Sequence, residues 1–347
     1  MDFTPTEEQT AARELAARIF GDLATHDRLT AAGTGSDPEL WKELCAAGLT
    51  AAVADIGLLG LVLMLEEQGR TTAQVPFAAA CVYGALTVAA HGTPEQRERL
   101  LPGIDDGTVV VAGALPAASS VTVRGRERAL LTGTVPAVPW LRDATHVLVP
   151  DNGARPGLWL VRAADAHCEP VELTAPWAAG RLTLDDAPGE RIGDEGAYDD
   201  VLATARTAFA GLQAGVCAGS LARAVRHTGS REQFGRPLAA RQAVQLRAAD
   251  AYMDTEAIRV TAYEAAWRRD ENLAYATHAL TAAWWASEAG QRVVHTGQHL
   301  HGGTGADLEH PVHRHFLWGR QLDAYLGCGS EVLQELGESL TRGEGSR

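Results

Sequence analysis

Lysine is nearly missing from this chain: Lys42 is the only one, so almost all of its positive charge is carried by arginine. Thirty basic residues stand against 44 acidic ones, a formal net charge of −14. An acid excess of that size excludes a general nucleic-acid or membrane-surface binder, but an anionic ligand held by a local cluster of arginines remains compatible with it. Cysteine is scarce as well. Cys45, Cys81, Cys168, Cys217 and Cys328 are odd in number and lack paired spacing. They suggest neither a disulfide framework nor a zinc site, and a reducing cytoplasm is the expected location. No signal peptide is visible, and the longest apolar run, 56–65, is too short to span a bilayer, so no membrane partner is expected.

What is present is a change of pattern along 347 residues, enough for two or three domains. Thr4 or Thr6 can cap a helix reaching about Leu23, with Glu7 and Glu8 in its first turn, where the helix dipole favours acids. Residues 38–44 open a second helix closed near Gly48; 57–69, apolar on nearly every side, and 75–90 read as buried helices. Thr93-Pro94-Glu95-Gln96 starts another, and the helical region ends between Pro102 and Gly107. From Thr108 to about Ile192 the segments become short and β-branched: 109–111, 121–123, 129–131, 146–149, 158–161 and 181–184 read as strands. After Gly193 four long segments, 201–229, 239–269, 275–300 and 312–340, suggest a helical bundle. The expected fold is therefore α+β, in three domains: helical 1–107, β 108–193 and helical 194–347. The apolar stripes of 201–229 and 239–269 exceed what one thin bundle needs, which predicts that both face another subunit.

Between the first two bundle segments lies Arg231-Glu232-Gln233-Phe234-Gly235-Arg236-Pro237-Leu238, followed by Gln242. By spacing alone it is equally an ordinary helix–helix loop with a solvated arginine or a presented binding loop. As a motif, RxxFG followed by Gln resembles the acyl-CoA dehydrogenase family. So does His299-Leu300-His301-Gly302-Gly303-Thr304-Gly305 with Glu309-His310-Pro311-Val312-His313-Arg314, similar to that family's QxxGGxG and ExPVxR segments. The opening Met1 to Gln9 is also similar, so the likeness runs over nearly the whole chain in order. It implies an N-terminal helical domain, a middle β-barrel or sandwich and a C-terminal four-helix bundle.

The resemblance also implies flavin adenine dinucleotide (FAD), lying between β-domain and bundle and clamped at its ADP half by the bundle of the dimer mate. By motif, Arg231 would contact the pyrophosphate, Phe234 and Gln242 the adenosine half, and Gly302 and Gly303 the phosphate side. The chemistry suits them: a guanidinium forks onto phosphate oxygens, and glycines let backbone amides approach closely. His299 stands where the family has Gln, and imidazole still donates a hydrogen bond with shorter reach. The neighbouring histidines, His295, His301, His310, His313 and His315, have no established ligand spacing, and no metal is expected.

In the family a glutamate removes the α-proton of an acyl thioester while the flavin takes the β-hydride. Its two known positions fall on Ala205 and Leu326, so neither offers a base. The nearest acids are Asp200, Asp323 and Glu331; Asp323, one turn before Leu326, is the weak candidate against being a plain exposed helix acid. The flavin-facing strand is altered too, reading Ala114-Leu115-Pro116-Ala117-Ala118-Ser119-Ser120, and the family's Trp-Ile-Thr becomes Ala137-Val138-Pro139, then Trp140. A proline offers no N–H to a flavin carbonyl. The reading is a subunit of a heteromeric acyl-CoA dehydrogenase, similar to the short α2β2 subunits of bacterial steroid side-chain degradation. It would act with a homologous catalytic subunit in a heterotetramer on an acyl-CoA substrate. The alternatives are a homomeric flavoenzyme with another base or reaction, and a flavin-free scaffold.

Overall fold

The computed structural model describes residues 2–116, 120–125 and 129–342. Helices come first: α1 (Glu7–Leu23), α2 (His26–Ala32), α3 (Pro38–Ala46), α4 (Leu49–Thr71), α5 (Phe77–Ala79), α6 (Thr87–His91) and α7 (Pro94–Asp105). A strand region follows: β1 (Val111–Gly113), β2 (Thr122–Arg124), β3 (Ala129–Val138), β4 (His146–Pro150), β5 (Leu158–Arg162), β6 (His167–Pro170) and β7 (Gly180–Ile192). The rest is helical apart from one small hairpin: α8 (Ala197–Ser230), β8 (Glu232–Gln233), β9 (Arg236–Pro237), α9 (Gln242–Asp270), α10 (Ala276–His301), α11 (Pro311–Tyr325) and α12 (Gly329–Thr341). This is the expected helix–sheet–helix, α+β order.

Backbone contacts gather these elements into two compact units, Met1–His26 with Val62–Ala73 and Arg206–Arg347, and Asp27–Leu61 with Gln74–Ala205. In the second, β1-β4-β5-β7-β3-β2 is the strand order of one seven-stranded sheet, with β6 also on β7. Among the described residues, only β1 and β4 pair in parallel. Alternation fills its core with Leu131, Val138, Val147, Val149, Val161 and Leu182, all fully buried. The helices of this unit are held at their ends by the signals the sequence shows. Thr93 accepts from the Gln96 amide while the Gln96 side chain accepts from the Thr93 amide, closing a capping box on α7.

In the first unit, α8 packs against residues 62–71 at very close range. A Cβ on Gly215 would fall 2.0 Å from the Glu66 carbonyl oxygen, one on Gly219 2.4 Å from that of Arg70, and one on Gly69 2.2 Å from that of Leu212. Gly211, Gly215 and Gly219 recur every four residues, so a single face of α8 is stripped of side chains and the two backbones nearly touch. Glu66, 5 % exposed, is paired there with Arg259 of α9 at 3.0 Å.

Several expectations need correction. The segment 57–69 is the second part of α4, which begins at Leu49 and turns through a non-helical Gly57 (φ 71°). The segment 75–90 contains a π-helical stretch, Ala80–Leu86. Pro102 lies inside α7, which runs on to Asp105. Two elements, α2 and β6, had no clear periodicity to reveal them. The segment 312–340 is two helices, broken at Leu326, Gly327 (φ 108°) and Cys328. Two helices, α4 and α8, are long and apolar enough to cross a membrane, contrary to the reading from uninterrupted runs, but 72 % and 78 % of their apolar windows are buried inside the fold. Their hydrophobicity is accounted for by core packing. The same burial corrects the subunit-facing reading for the first part of 201–229, whose apolar residues from Val201 to Cys217 are covered by this chain itself, while Val225 is 51 % exposed.

Candidate functional site

The RxxFG loop is a two-residue hairpin. Glu232 pairs with Pro237 and Gln233 with Arg236, leaving Phe234 and Gly235 as the turn. Both have positive φ, 55° and 76°. A turn of this kind favours asparagine then glycine, because a side chain with a bulky ring is strained in the left-handed region. Phenylalanine is there nonetheless, 90 % exposed, with the Arg241 guanidinium over its ring at 5.1 Å. An exposed aromatic held in an unfavourable conformation points to a contact made outside the chain. Arg231 starts the loop. Its amide donates to the His227 carbonyl at 2.8 Å and its carbonyl accepts from Leu238 at 2.9 Å, so the backbone is fixed. Its guanidinium is exposed and, among the described residues, has no ion pair. Gln242, also exposed, is the first residue of α9.

The glycines of the second motif lie at the same end of the bundle. The imidazole of His227, four residues before Arg231, stacks on that of His301, the last residue of α10, at 4.6 Å between centroids and 26°. Gly302 follows with φ 63°, and a short 3₁₀ turn, Gly302–Ala306, carries the chain onward. Gly302 and Gly303 are exposed, and a Cβ on either would meet nothing within 4 Å. The donor set at this end is thus a free guanidinium, an aromatic face, an amide side chain and open glycine amides. It suits a nucleotide with a diphosphate. His299 is exposed but lines a different feature, a groove of about 800 Å³ between α9 and α10 with Asp254, Arg292 and His295. Within it Arg292 holds Asp254 through two hydrogen bonds of 2.9 and 2.7 Å. Among the described residues no cluster suited to a metal ion is found.

The two expected base positions are filled with hydrocarbon. Ala205 is fully buried and Leu326 is 6 % exposed. Beside them is a residue the motifs did not single out. Arg206, its side chain 7 % exposed, donates to the Leu326 carbonyl at 3.2 Å and to both Glu335 oxygens at 2.8 and 2.7 Å. It ties α8 to the break between α11 and α12. With Phe209 set edge-on to Tyr325 at 4.9 Å, the space there shrinks to about 20 Å³, room for a single water. A lone arginine within the apolar stretch 201–217 was the sequence signal for this pair.

Each of the nearby acids already has a hydrogen-bond partner. Asp323 accepts from the Ser287 hydroxyl at 2.7 Å and pairs with Arg320 at 2.7 Å. Glu331 accepts from the Cys328 amide at 3.0 Å, which holds its carboxyl below the usual range. Asp200 is bonded to His91 at 2.8 Å. In the sheet unit, Trp140 is left-handed (φ 57°), fully buried and stacked on Trp177 at 4.4 Å and 22°. Val138 is buried in the sheet core. Of the altered flavin-facing strand, Ala114 bonds to the Leu148 carbonyl at 2.9 Å, while Ala117, Ala118 and Ser119 lie outside the described residues.

Comparison with known proteins covers the whole chain. Residues 6–108 match the model of the acyl-CoA dehydrogenase N-terminal domain, and 197–338 that of the C-terminal domain. The acyl-CoA dehydrogenase FadE27 of Mycobacterium tuberculosis is 34 % identical over 98 % of this chain and 99 % of its own length. One chain of a steroid acyl-CoA dehydrogenase, the Tcur3481-Tcur3483 G363A variant, is 42 % identical with a TM-score of 0.93, covering 98 % of this chain and 99 % of that one. One chain of the ChsE4-ChsE5 complex of Mycobacterium tuberculosis is 30 % identical with a TM-score of 0.92, over 98 % and 99 %.

Proposed function

The chain belongs to the acyl-CoA dehydrogenase family, and from that premise we propose that it is the subunit of a heteromeric enzyme that clamps a flavin without supplying the catalytic base. The family's members are oxidoreductases acting on acyl-CoA with FAD as cofactor. FAD, when bound, accepts the hydride from the β-carbon. Arg231 would pair with its pyrophosphate, Gly302 and Gly303 would offer amides to the phosphates, and Phe234 and Gln242 would meet the adenosine half. His299 stands in the α9/α10 groove and is the weakest member of this set. The single observation that carries the reading is the contrast between the two ends of the chemistry. At both base positions there is buried hydrocarbon, locked by the Arg206–Glu335 pair, whereas the donors of the clamp are exposed and uncommitted. Both Glu335 oxygens accept from Arg206, so Glu335 is engaged and offers no substitute base.

The relatives support a heteromeric assembly on a steroid acyl-CoA: two of the solved structures are a steroid acyl-CoA dehydrogenase and a complex of two subunits. The three segments 1–107, 108–193 and 194–347 are proposed as the domains, in keeping with where the family models end and begin. The test is to purify the chain alone and together with a homologous subunit that carries a base glutamate, then measure flavin content and dye-linked oxidation of several acyl-CoAs, steroid side-chain thioesters among them. The pair is expected to be yellow and active and the lone chain silent. Ordinary turnover by the lone chain would overturn the reading in favour of a homomeric enzyme, and a colourless pair would leave a scaffold.

A further inference from the structure

Beside the flavin clamp, the same end of the bundle holds a concentration of positive and imidazole groups that neither the motifs nor the clamp employs. Arg223, two turns before Arg231 on α8, is half-buried and has no hydrogen bond or ion pair among the described residues. Burial, and then Arg226, lowers its pKa from the ordinary arginine value, a sign that its charge is uncompensated. Facing it are His301 and His310, which lie 5.0 Å apart, and His227 stacked on His301 at 4.6 Å. The ring nitrogens are only partly used. His301 Nδ1 bonds the Gly297 carbonyl at 2.7 Å, and His310 Nδ1 accepts from the Val312 amide at 3.2 Å, capping α11. The second nitrogen of each ring, and both of His227, make no hydrogen bond among the described residues.

We propose that Arg223 and the imidazoles of His227, His301 and His310 form a site for a tetrahedral oxyanion of the phosphate class. An unpaired guanidinium in a half-buried setting calls for a counter-ion, and the chain supplies almost none. The groups that face the cluster are further bases: His26 at the start of α2, Arg226 on α8, and His315 with Arg314 on α11. Among the described residues, the acid that reaches His310 and His313 is Asp307, one oxygen of which accepts from the Glu309 amide at 3.0 Å. An anion there would meet a planar fork from Arg223 and N–H donors from the rings.

Burial, with Arg223 and the neighbouring rings adding to it, holds His301 and His310 below the ordinary imidazole range. A bound anion reverses that balance at His301, whose Nδ1–H is given to the Gly297 carbonyl and whose free Nε2 takes up a proton as the anion binds, so affinity rises as the pH falls; His310, with Nδ1 accepting from the Val312 amide, already presents an Nε2–H donor. The ligand is a free phosphate or the diphosphate of a nucleotide, and the site stands whether or not Arg231 clamps a flavin.

The test is calorimetric titration of the purified chain with sulfate, which does not itself titrate in this range, and with inorganic phosphate, pyrophosphate, ADP and adenosine. Sulfate is expected to bind more tightly as pH drops from about 8 to about 6, with net proton uptake when two buffers of different ionisation heat are compared. Arg223→Gln should weaken binding about 10-fold or more, and Arg223→Lys less. His310→Asn keeps a capping side chain on α11 and should weaken binding by moving the donor that the imidazole Nε2–H supplies, with the proton uptake at His301 retained, which keeps the proposal testable if Arg223→Gln fails to fold. Preference for pyrophosphate and ADP over phosphate identifies a nucleotide diphosphate as the natural ligand; equal binding identifies free phosphate. Failure of wild type to bind sulfate overturns the proposal, as does binding undiminished in Arg223→Gln, binding that weakens on acidification, or binding lost in Arg231→Ala but kept in Arg223→Gln.

Discussion

At the scale of single residues, Arg206, His315 and Arg231 make separate predictions. Arg206 is nearly buried and satisfied by three acceptors, so Arg206→Ala strands the Leu326 carbonyl and removes two charge-assisted bonds to Glu335. Half of Glu335 is solvated, so the expected loss is about 1.5–3 kcal/mol, read as a lower denaturant midpoint. The same guanidinium explains why Leu326→Glu alone should not restore a base: a carboxylate placed beside Arg206 would pair with it and lose proton affinity, and a dye-linked assay should stay silent. His315 is 1 % exposed, and burial, then Arg223, depresses its pKa to about 4 although it bonds the Arg70 and Pro311 carbonyls. A folded-state pKa below the ordinary imidazole value means that the unfolded chain binds more protons. The stability linked to this group is therefore complete above about pH 6.5 and is lost as pH falls towards about 4, on the order of 3 kcal/mol in all. Thermal melts across that window should show the loss, and His315→Gln should flatten it. For Arg231, replacement by alanine should weaken flavin binding by the reconstituted complex roughly 10- to 150-fold, with partial recovery in Arg231→Lys. Unchanged affinity would show the hairpin to be structural.

At the scale of elements, the close contact of α8 with residues 62–71 rests on glycines. Gly215→Ala puts a methyl 2.0 Å from a backbone oxygen, and backbone cannot give way as a flexible side chain can. The helices must move apart, at about 1–3 kcal/mol or more, and a thermal melt should record it. The neighbouring helix α9 has the opposite character. Leu246, Met253 and Val260 are 58 %, 61 % and 47 % exposed and recur every seven residues, which places them in one row, with Tyr252 beside it at 59 %. A seven-residue row of exposed apolar side chains fits a helix that packs against another subunit. Leu246→Asp with Met253→Asp should shift the assembly to smaller species in light scattering while leaving the fold's circular dichroism intact. An unchanged mass would remove α9 from the interface.

At the scale of the whole molecule, the proposed function divides chemistry from cofactor binding. The residues of the proposed clamp are exposed, Ala205 and Leu326 are buried alkyl groups, and the Trp140 ring is stacked on Trp177. An assembly of this subunit with a base-bearing relative is therefore expected to hold fewer flavins than it has subunits. Flavin absorbance against protein concentration measures the ratio, and one flavin for every chain would show that this subunit's own sheet unit serves a flavin as well.

The sequence alone determined the order of elements, because periodicity and capping residues act over a few neighbours: Thr6 and Thr93 close their capping boxes as their spacing allows. It determined the motifs too, since Arg231, Phe234, Gly302 and Gly303 are adjacent or nearly so in the chain. Only the tertiary structure decided what depends on residues far apart. The hairpin strain at Phe234, the joining of the two motifs through His227 and His301, and the Arg206–Glu335 lock across 129 positions are products of packing. So is the fate of the acids. Asp323 has Arg320 one turn before it on the same helix, a partner the sequence shows, but only the fold brings the Ser287 hydroxyl to its other oxygen. A local pattern records which groups a chain owns; which of them remain uncommitted is settled by the long-range contacts that pair the others.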